Sequence, residues 1–133
     1  MDQIVQQHSY FKREEFACKC GCGFDDLSPV LWETLDRVRQ IVDRPIVINS
    51  GCRCRHHNDA VGGSVNSSHL TGLAVDIWCI GTPAGSGSDR DDYRWRLVHA
   101  LILSGCTRIG IGKSFVHVDI DPIKSERRMW VYM

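Results

Sequence analysis

Residues 67–78, Ser-Ser-His-Leu-Thr-Gly-Leu-Ala-Val-Asp-Ile-Trp, place a glycine turn directly before a run in which apolar and polar side chains alternate. Because the side chains of a β-strand point alternately to its two faces, we predict a strand over residues 74–80. Asp76 then lies on the face opposite its apolar neighbours. Gly72 has no Cβ to restrict a turn, so His69 can fold back over Asp76.

Residues 115–120, Phe-Val-His-Val-Asp-Ile, carry the same alternation. The two valines and the isoleucine form an apolar row, which leaves His117 and Asp119 together on the other face. If both strands belong to one sheet, their polar faces bring two imidazoles and a carboxylate together: His69, His117 and Asp76.

In the rest of the chain, the sequence pattern predicts helices and strands in separate segments. An amphipathic helix is predicted over residues 29–42 with Ser28 as its cap, and another over 89–104, ending at Gly105. The other predicted elements are strands over 45–50, 108–111 and 130–132, a helical turn over 58–61 and a flexible loop over 81–88. Since no crossover helix separates the last strands, we predict an α+β fold with a small, largely antiparallel sheet flanked by helices.

The composition is that of an ordinary globular protein. The length of 133 residues, of which 43% are hydrophobic, predicts a single domain over residues 1–133, and we expect a monomer. Sixteen basic residues balance sixteen acidic ones, so neither nucleic acid nor anionic lipid is an expected partner, and no apolar run is long enough to span a membrane. Residues 1–8 lack the basic and apolar regions of a secretory signal, so we expect synthesis in the cytoplasm.

Two neutral imidazoles and one carboxylate form a ligand set that suits Zn²⁺. Three protein ligands leave the fourth tetrahedral position open to water, which is the arrangement of a catalytic zinc site. The alternative is that His69 and His117 are ordinary surface or capping histidines and that Asp76 is a turn carboxylate.

Ordered motifs cover nearly the whole chain, and the four most specific are Ser50-Gly-Cys-Arg53, Asn58-Asp-Ala-Val-Gly-Gly63, Ser67 to Asp76 and Phe115-Val-His-Val-Asp119. In this order and spacing they resemble the M15 zinc peptidases, which include D-alanyl-D-alanine carboxypeptidases and peptidoglycan endopeptidases of phages and bacteria. The resemblance implies the hedgehog/DD-peptidase fold, peptidoglycan stem peptides as substrate, and one catalytic Zn²⁺ with three ligands: His69, Asp76 and His117.

Two further residues are candidates for catalytic roles. The resemblance places Arg53 beside the zinc, where a guanidinium could bind a substrate carboxylate or stabilise an oxyanion. Several branches of the family carry a glutamate or histidine general base three residues before the last zinc histidine, but this chain has Ser114 there. Asp119, on the strand face of His117, could instead take the proton or orient the His117 ring. His56 and His57 are predicted to be surface residues, although either could reach the cleft.

The resemblance therefore predicts a zinc peptidase that cleaves cell-wall peptides, acting on the wall after release from the cell or as part of a virion. Because Ser114 replaces the usual acidic or histidine base, a second hypothesis stays open. In it, the same fold is a non-catalytic zinc-containing module that binds the cell wall or a partner.

Seven cysteines form a separate feature of the sequence. In an extended chain Cys18, Cys20 and Cys22 point to one side, as do Cys52 and Cys54, so up to five sulfurs could meet. Cys-x-Cys is not the Cys-x2-Cys spacing typical of structural zinc sites, which favours buried thiols or disulfides over a metal. Two more cysteines are predicted to pack in the core: Cys79 and Cys106.

Overall fold

A computed structural model describes residues 9–80 and 90–133 of the chain. The α-helices are α1 (Pro29–Val42), α2 (Arg55–Ala60) and α3 (Arg90–Leu103), and 3-10 turns span Arg13–Phe16 and Ser68–Thr71. The strands are β1 (Ile48–Ser50), β2 (Ala74–Trp78), β3 (Arg108–Ile111), β4 (Phe115–Asp119) and β5 (Arg128–Val131). Across these described ranges, no helix combines the length and the apolar character that crossing a membrane requires.

The five strands form one sheet in the order β1-β2-β4-β3-β5. Three of the four neighbouring pairs are antiparallel, which confirms the predicted α+β class and the largely antiparallel sheet. The exception is the parallel pairing of β5 with β3. It arises because the chain reverses after β4 and passes beyond β3 before it forms β5, so that β5 runs opposite to β4 and alongside β3.

The core lies on one face of the sheet, between the strands and helices α1 and α3. The alternation predicted for β2 and β4 is confirmed, since the valines and isoleucine of both strands are buried in the core: Val75, Ile77, Val116 and Val118. The apolar stripe of α1 is buried on the same side, at Leu31, Leu35, Val38 and Val42. Two predicted core cysteines, Cys79 and Cys106, are buried there too. The polar side chains of β2 and β4 therefore lie on the sheet face that these helices leave open.

Several element boundaries differ from the predicted ones. The strand expected over 45–50 begins only at Ile48, and a bulge between Ile48 and Ser50 interrupts its pairing with β2. The turn expected over 58–61 is helix α2, which begins earlier because the side chain of Cys54 caps it. Ser28 precedes α1 as predicted, but its backbone carbonyl, not its hydroxyl, accepts the first helical hydrogen bond, from Trp32. The loop predicted over 81–88 lies outside the described residues.

Candidate metal centre

Asp76 of β2 and His117 of β4 face each other as a direct cross-strand pair. Residues paired in this way present their side chains to the same sheet face, which brings His117 Nδ1 to 2.8 Å from Asp76 Oδ1. His69 Nε2 lies 3.2 Å from the same oxygen. All three side chains are buried, and their ligand atoms lie within 4.8 Å of one another. The structure therefore brings together the three residues that the sequence predicted as metal ligands.

The 3-10 turn Ser68–Thr71 carries His69 over the sheet. Ser67 caps this turn by accepting the His69 N–H, and Gly72 ends it with a φ of 72°, in the left-handed region. A Cβ at Gly72 would lie 2.2 Å from the backbone carbonyl oxygen of Asp26. Only glycine therefore fits at this position, and the tight turn that it makes leads directly from His69 into β2.

We expect Gly72→Ala to destabilise the protein by at least about 3 kcal/mol, because the new Cβ would be strained in φ and would also clash with Asp26. Gly62→Ala is the matched control, since Gly62 has a φ of 75° but no atom within 4 Å of its added Cβ. It should lose only about 1–2 kcal/mol from backbone strain. Urea unfolding of both variants measures the difference, and equal losses would contradict the role assigned to the close contact.

In each histidine, the outer ring nitrogen, which points away from Asp76, has a partner that can only accept a hydrogen bond. The inner nitrogen is the one that faces Asp76. His69 Nδ1 lies 2.7 Å from the carbonyl oxygen of Gly51, and His117 Nε2 lies 2.8 Å from Asp119 Oδ2. We therefore assign the imidazole protons to these outer nitrogens. In neutral imidazoles, the inner nitrogens then direct lone pairs toward Asp76 Oδ1. Such a convergence is favourable only with a cation between the groups or with protonated rings, so this donor set fits a divalent metal ion.

The pKa shifts at this site show that a positive charge is favoured beside Asp76. Burial raises the pKa of Asp76, but where His117 and His69 donate hydrogen bonds to it, these outweigh burial and hold the pKa below its ordinary value. For His117, burial lowers the pKa, yet the hydrogen bonds to Asp119 and Asp76 raise it overall. The buried carboxylate is therefore ionised and surrounded by groups that stabilise negative charge. Two imidazole nitrogens and one carboxylate oxygen are also the ligand types of catalytic zinc sites.

Arg53 lies against the other oxygen of Asp76, with Nη2 at 3.4 Å from Oδ2. Its Nε donates to Ser50 Oγ at 3.0 Å, and its Nη1 donates to Asn58 Oδ1 at 2.8 Å. A Cβ at Gly63 would lie 2.1 Å from that Asn58 oxygen and 2.7 Å from Arg53 Nη1, so the glycine makes room for this contact. Arg53 is thus a fixed guanidinium beside the three metal-ligand candidates, as predicted.

Asp119 makes hydrogen bonds through both of its carboxylate oxygens. Oδ2 accepts from His117, while Oδ1 accepts from Arg108 Nε at 2.7 Å and from the backbone N–H of Asp121 at 3.3 Å. Burial raises the pKa of Asp119, but the bonds from His117 and Arg108 lower it overall. Arg108 is not among the site residues predicted from the sequence. The alternation of isoleucines in β3 could have revealed it, since it puts Arg108 and Gly110 on the polar face.

These groups line an open cleft of about 740 Å³. Aromatic side chains form one wall: Phe115, Trp130 and Tyr132. Trp130 lies 5.6 Å from the His117 ring, and a Cβ at Gly110 would come within 2.8 Å of both Trp130 and Tyr132. Gly110 therefore allows this wall to sit close to the site. His57 also lines the cleft, whereas its neighbour His56 is exposed.

Comparison with known proteins agrees with this geometry. The family model described as Peptidase M15 matches residues 9–121, which include every residue of the candidate metal centre. The comparison with curated proteins finds no match. A family match over most of the chain, together with the clustered histidines and carboxylate, shows that the chain belongs to the peptidase M15 family of zinc metallopeptidases.

Proposed function

We propose that this protein, as a single domain, hydrolyses amide bonds in peptidoglycan stem peptides, at or near D-alanine. The observation that carries the proposal is the convergence of three lone-pair donors, from His69, Asp76 and His117, at the base of an open cleft. In this proposal the three residues hold one Zn²⁺. When bound, zinc polarises a carbonyl group and lowers the pKa of a water molecule to about 7.

Arg53 would act on the reacting group of the substrate. Three of its nitrogens are already held by Ser50, Asn58 and Asp76, so its position is fixed before a substrate binds. A guanidinium has five N–H donors, which leaves others free for the cleft. A donor fixed in this way stabilises the negative charge that develops on a carbonyl oxygen without any reorganisation at the moment of reaction.

Asp119 would orient the His117 ring. Its contacts with His117 Nε2 and Arg108 form a carboxylate–histidine pair of the kind that fixes the ring orientation of a metal ligand. Since both carboxylate oxygens already accept hydrogen bonds, these contacts favour the orienting role over that of general base.

The charges of the cleft support a substrate with a carboxylate. Lysines at its rim, Lys19 and Lys124, add to the positive charge of Arg53.

The test is digestion of defined muropeptides followed by mass spectrometry. We expect the purified protein to release D-alanine or shortened stem peptides, to lose this activity in a chelator and to regain it when zinc is added. Binding to the wall without cleavage, in zinc-loaded protein, would contradict the proposal and support the non-catalytic module instead. Cleavage that continues unchanged in the chelator would contradict the zinc dependence.

A further inference from the structure

A second group of metal-ligand side chains lies outside the site described above. The sulfurs of Cys18, Cys20, Cys22 and Cys54, the cysteine cluster, all lie within 4.8 Å of one another. The Sγ–Sγ distances are 3.4 Å from Cys18 to Cys20, 3.8 Å from Cys18 to Cys54 and 3.6 Å from Cys20 to Cys54. A tetrahedral zinc with Zn–S bonds of about 2.3 Å separates its sulfurs by about 3.8 Å. The cluster therefore has nearly the dimensions of a four-thiolate zinc site.

The local backbone explains how Cys-x-Cys spacing gives this arrangement. Residues 18–22 form a turn and not the extended segment predicted from the sequence, and Gly21 and Gly23 have φ values of 83° and 95°. Left-handed φ values at glycine bend the chain at little cost, so the three sulfurs of the turn converge. The backbone N–H of Cys18 closes the turn by donating to the carbonyl of Phe24 at 2.7 Å.

Cys54 comes from a distant part of the chain. The backbone N–H of Cys52 donates to the carbonyl of Phe16 at 2.9 Å, which holds the two segments side by side. Cys52 itself points into the hydrophobic core, so four sulfurs meet rather than five. Cys54 then lies at the N-terminus of α2, where its sulfur accepts the His57 N–H at 3.3 Å.

Backbone N–H groups donate hydrogen bonds to two of the four sulfurs. Besides the His57 N–H on Cys54, the Cys54 N–H donates to the sulfur of Cys18 at 3.4 Å. Disulfides would pair the sulfurs two by two, whereas the distances among Cys18, Cys20 and Cys54 are nearly equal. All four cysteines are free thiols. We propose that the cysteine cluster binds a structural Zn²⁺ in a closed four-thiolate site.

This site would also support the catalytic cleft. Cys54 follows Arg53 directly, and Lys19, inside the turn, lines the cleft. A metal shared by the turn and by Cys54 would fix the start of α2 and, with it, the backbone of Arg53. Four protein ligands leave no open position, so the metal there would have no catalytic role of its own.

The experiment uses the full-length protein carrying His69→Ala, in reducing buffer, so that the outcome does not depend on the first metal site. We expect this protein to retain about one zinc per chain by mass spectrometry of the metal, as a closed structural site requires. Adding Cys22→Ser should lower the zinc content at least tenfold. Adding Cys106→Ala, the matched control at a buried cysteine outside the cluster, should leave it unchanged.

A second measurement does not depend on how the variants fold. Wild-type protein reconstituted with Co²⁺ should show the intense thiolate-to-metal charge-transfer absorption of tetrahedral cobalt–sulfur coordination. Absence of these bands would overturn the proposal, as would a zinc content that Cys22→Ser leaves unchanged. Intact-mass analysis showing disulfides among these four cysteines in freshly purified protein would also overturn it.

Discussion

Replacing His69 with alanine is expected to lower kcat/KM for muropeptide cleavage by at least about a thousandfold. The variant loses one of three ligands, and with it several kcal/mol of transition-state stabilisation that the zinc would provide. The His69 side chain is buried but lies outside the hydrophobic core, so the fold should survive. Initial rates on a defined muropeptide, measured together with circular dichroism, check both expectations.

His99→Ala is the matched control for that variant. His99 is an exposed histidine of α3 that lies outside the cleft, with its ring centroid 5.0 Å from that of Trp95. Its replacement should leave the rate within about twofold of wild type, as expected for surface substitutions. Full activity in His69→Ala would refute the assignment of the metal ligands.

Replacing Asp119 with alanine should have the second largest effect. The change removes the partner of His117 Nε2 and leaves Arg108 without its buried counterion, because Asp119 is only 2% exposed. Zinc affinity should fall about 10–100-fold, as for other partners of metal ligands, and stability should fall by about 3 kcal/mol. Competition with a zinc indicator and urea unfolding measure the two losses.

Asp119→Asn separates the orienting role from a role as general base. The amide oxygen can still accept a hydrogen bond from the N–H of His117 Nε2, so we expect zinc affinity and kcat to stay within about tenfold of wild type. A loss of kcat of more than about a hundredfold with unchanged zinc affinity would instead assign Asp119 as the base. Comparing kcat at saturating zinc with the zinc affinity distinguishes the two.

Strand alternation predicted that Asp76 and His117 share one sheet face, whereas their assignment with His69 as metal ligands came from the resemblance to the M15 peptidases. Because the period of a strand is two, the apolar neighbours of Asp76 and His117 settled which face each residue occupies once both strands were assigned. The partners of this centre were harder to predict. Arg108 reaches Asp119 only because β3 pairs with β4, and a strand order cannot be obtained from the pattern of one strand.

The cysteine segment shows where sequence reasoning fails. The spacing of the cysteines predicts an extended segment over residues 18–22, but the glycines between and after the last two of these cysteines adopt positive φ and turn the segment back on itself. Glycine permits such values without requiring them, so the sequence could not distinguish a strand from a turn. The convergence of Cys54 with this turn also depends on backbone contacts between Phe16 and Cys52, which no local pattern encodes.

The most direct test of the central claim is to locate zinc in crystals of the wild-type protein by anomalous diffraction at the zinc absorption edge. We predict a peak bounded by His69 Nε2, Asp76 Oδ1 and His117 Nδ1, open on the side of the cleft. Crystals grown with zinc that show no peak among these three atoms, or a peak enclosed there by a fourth protein ligand, would contradict it.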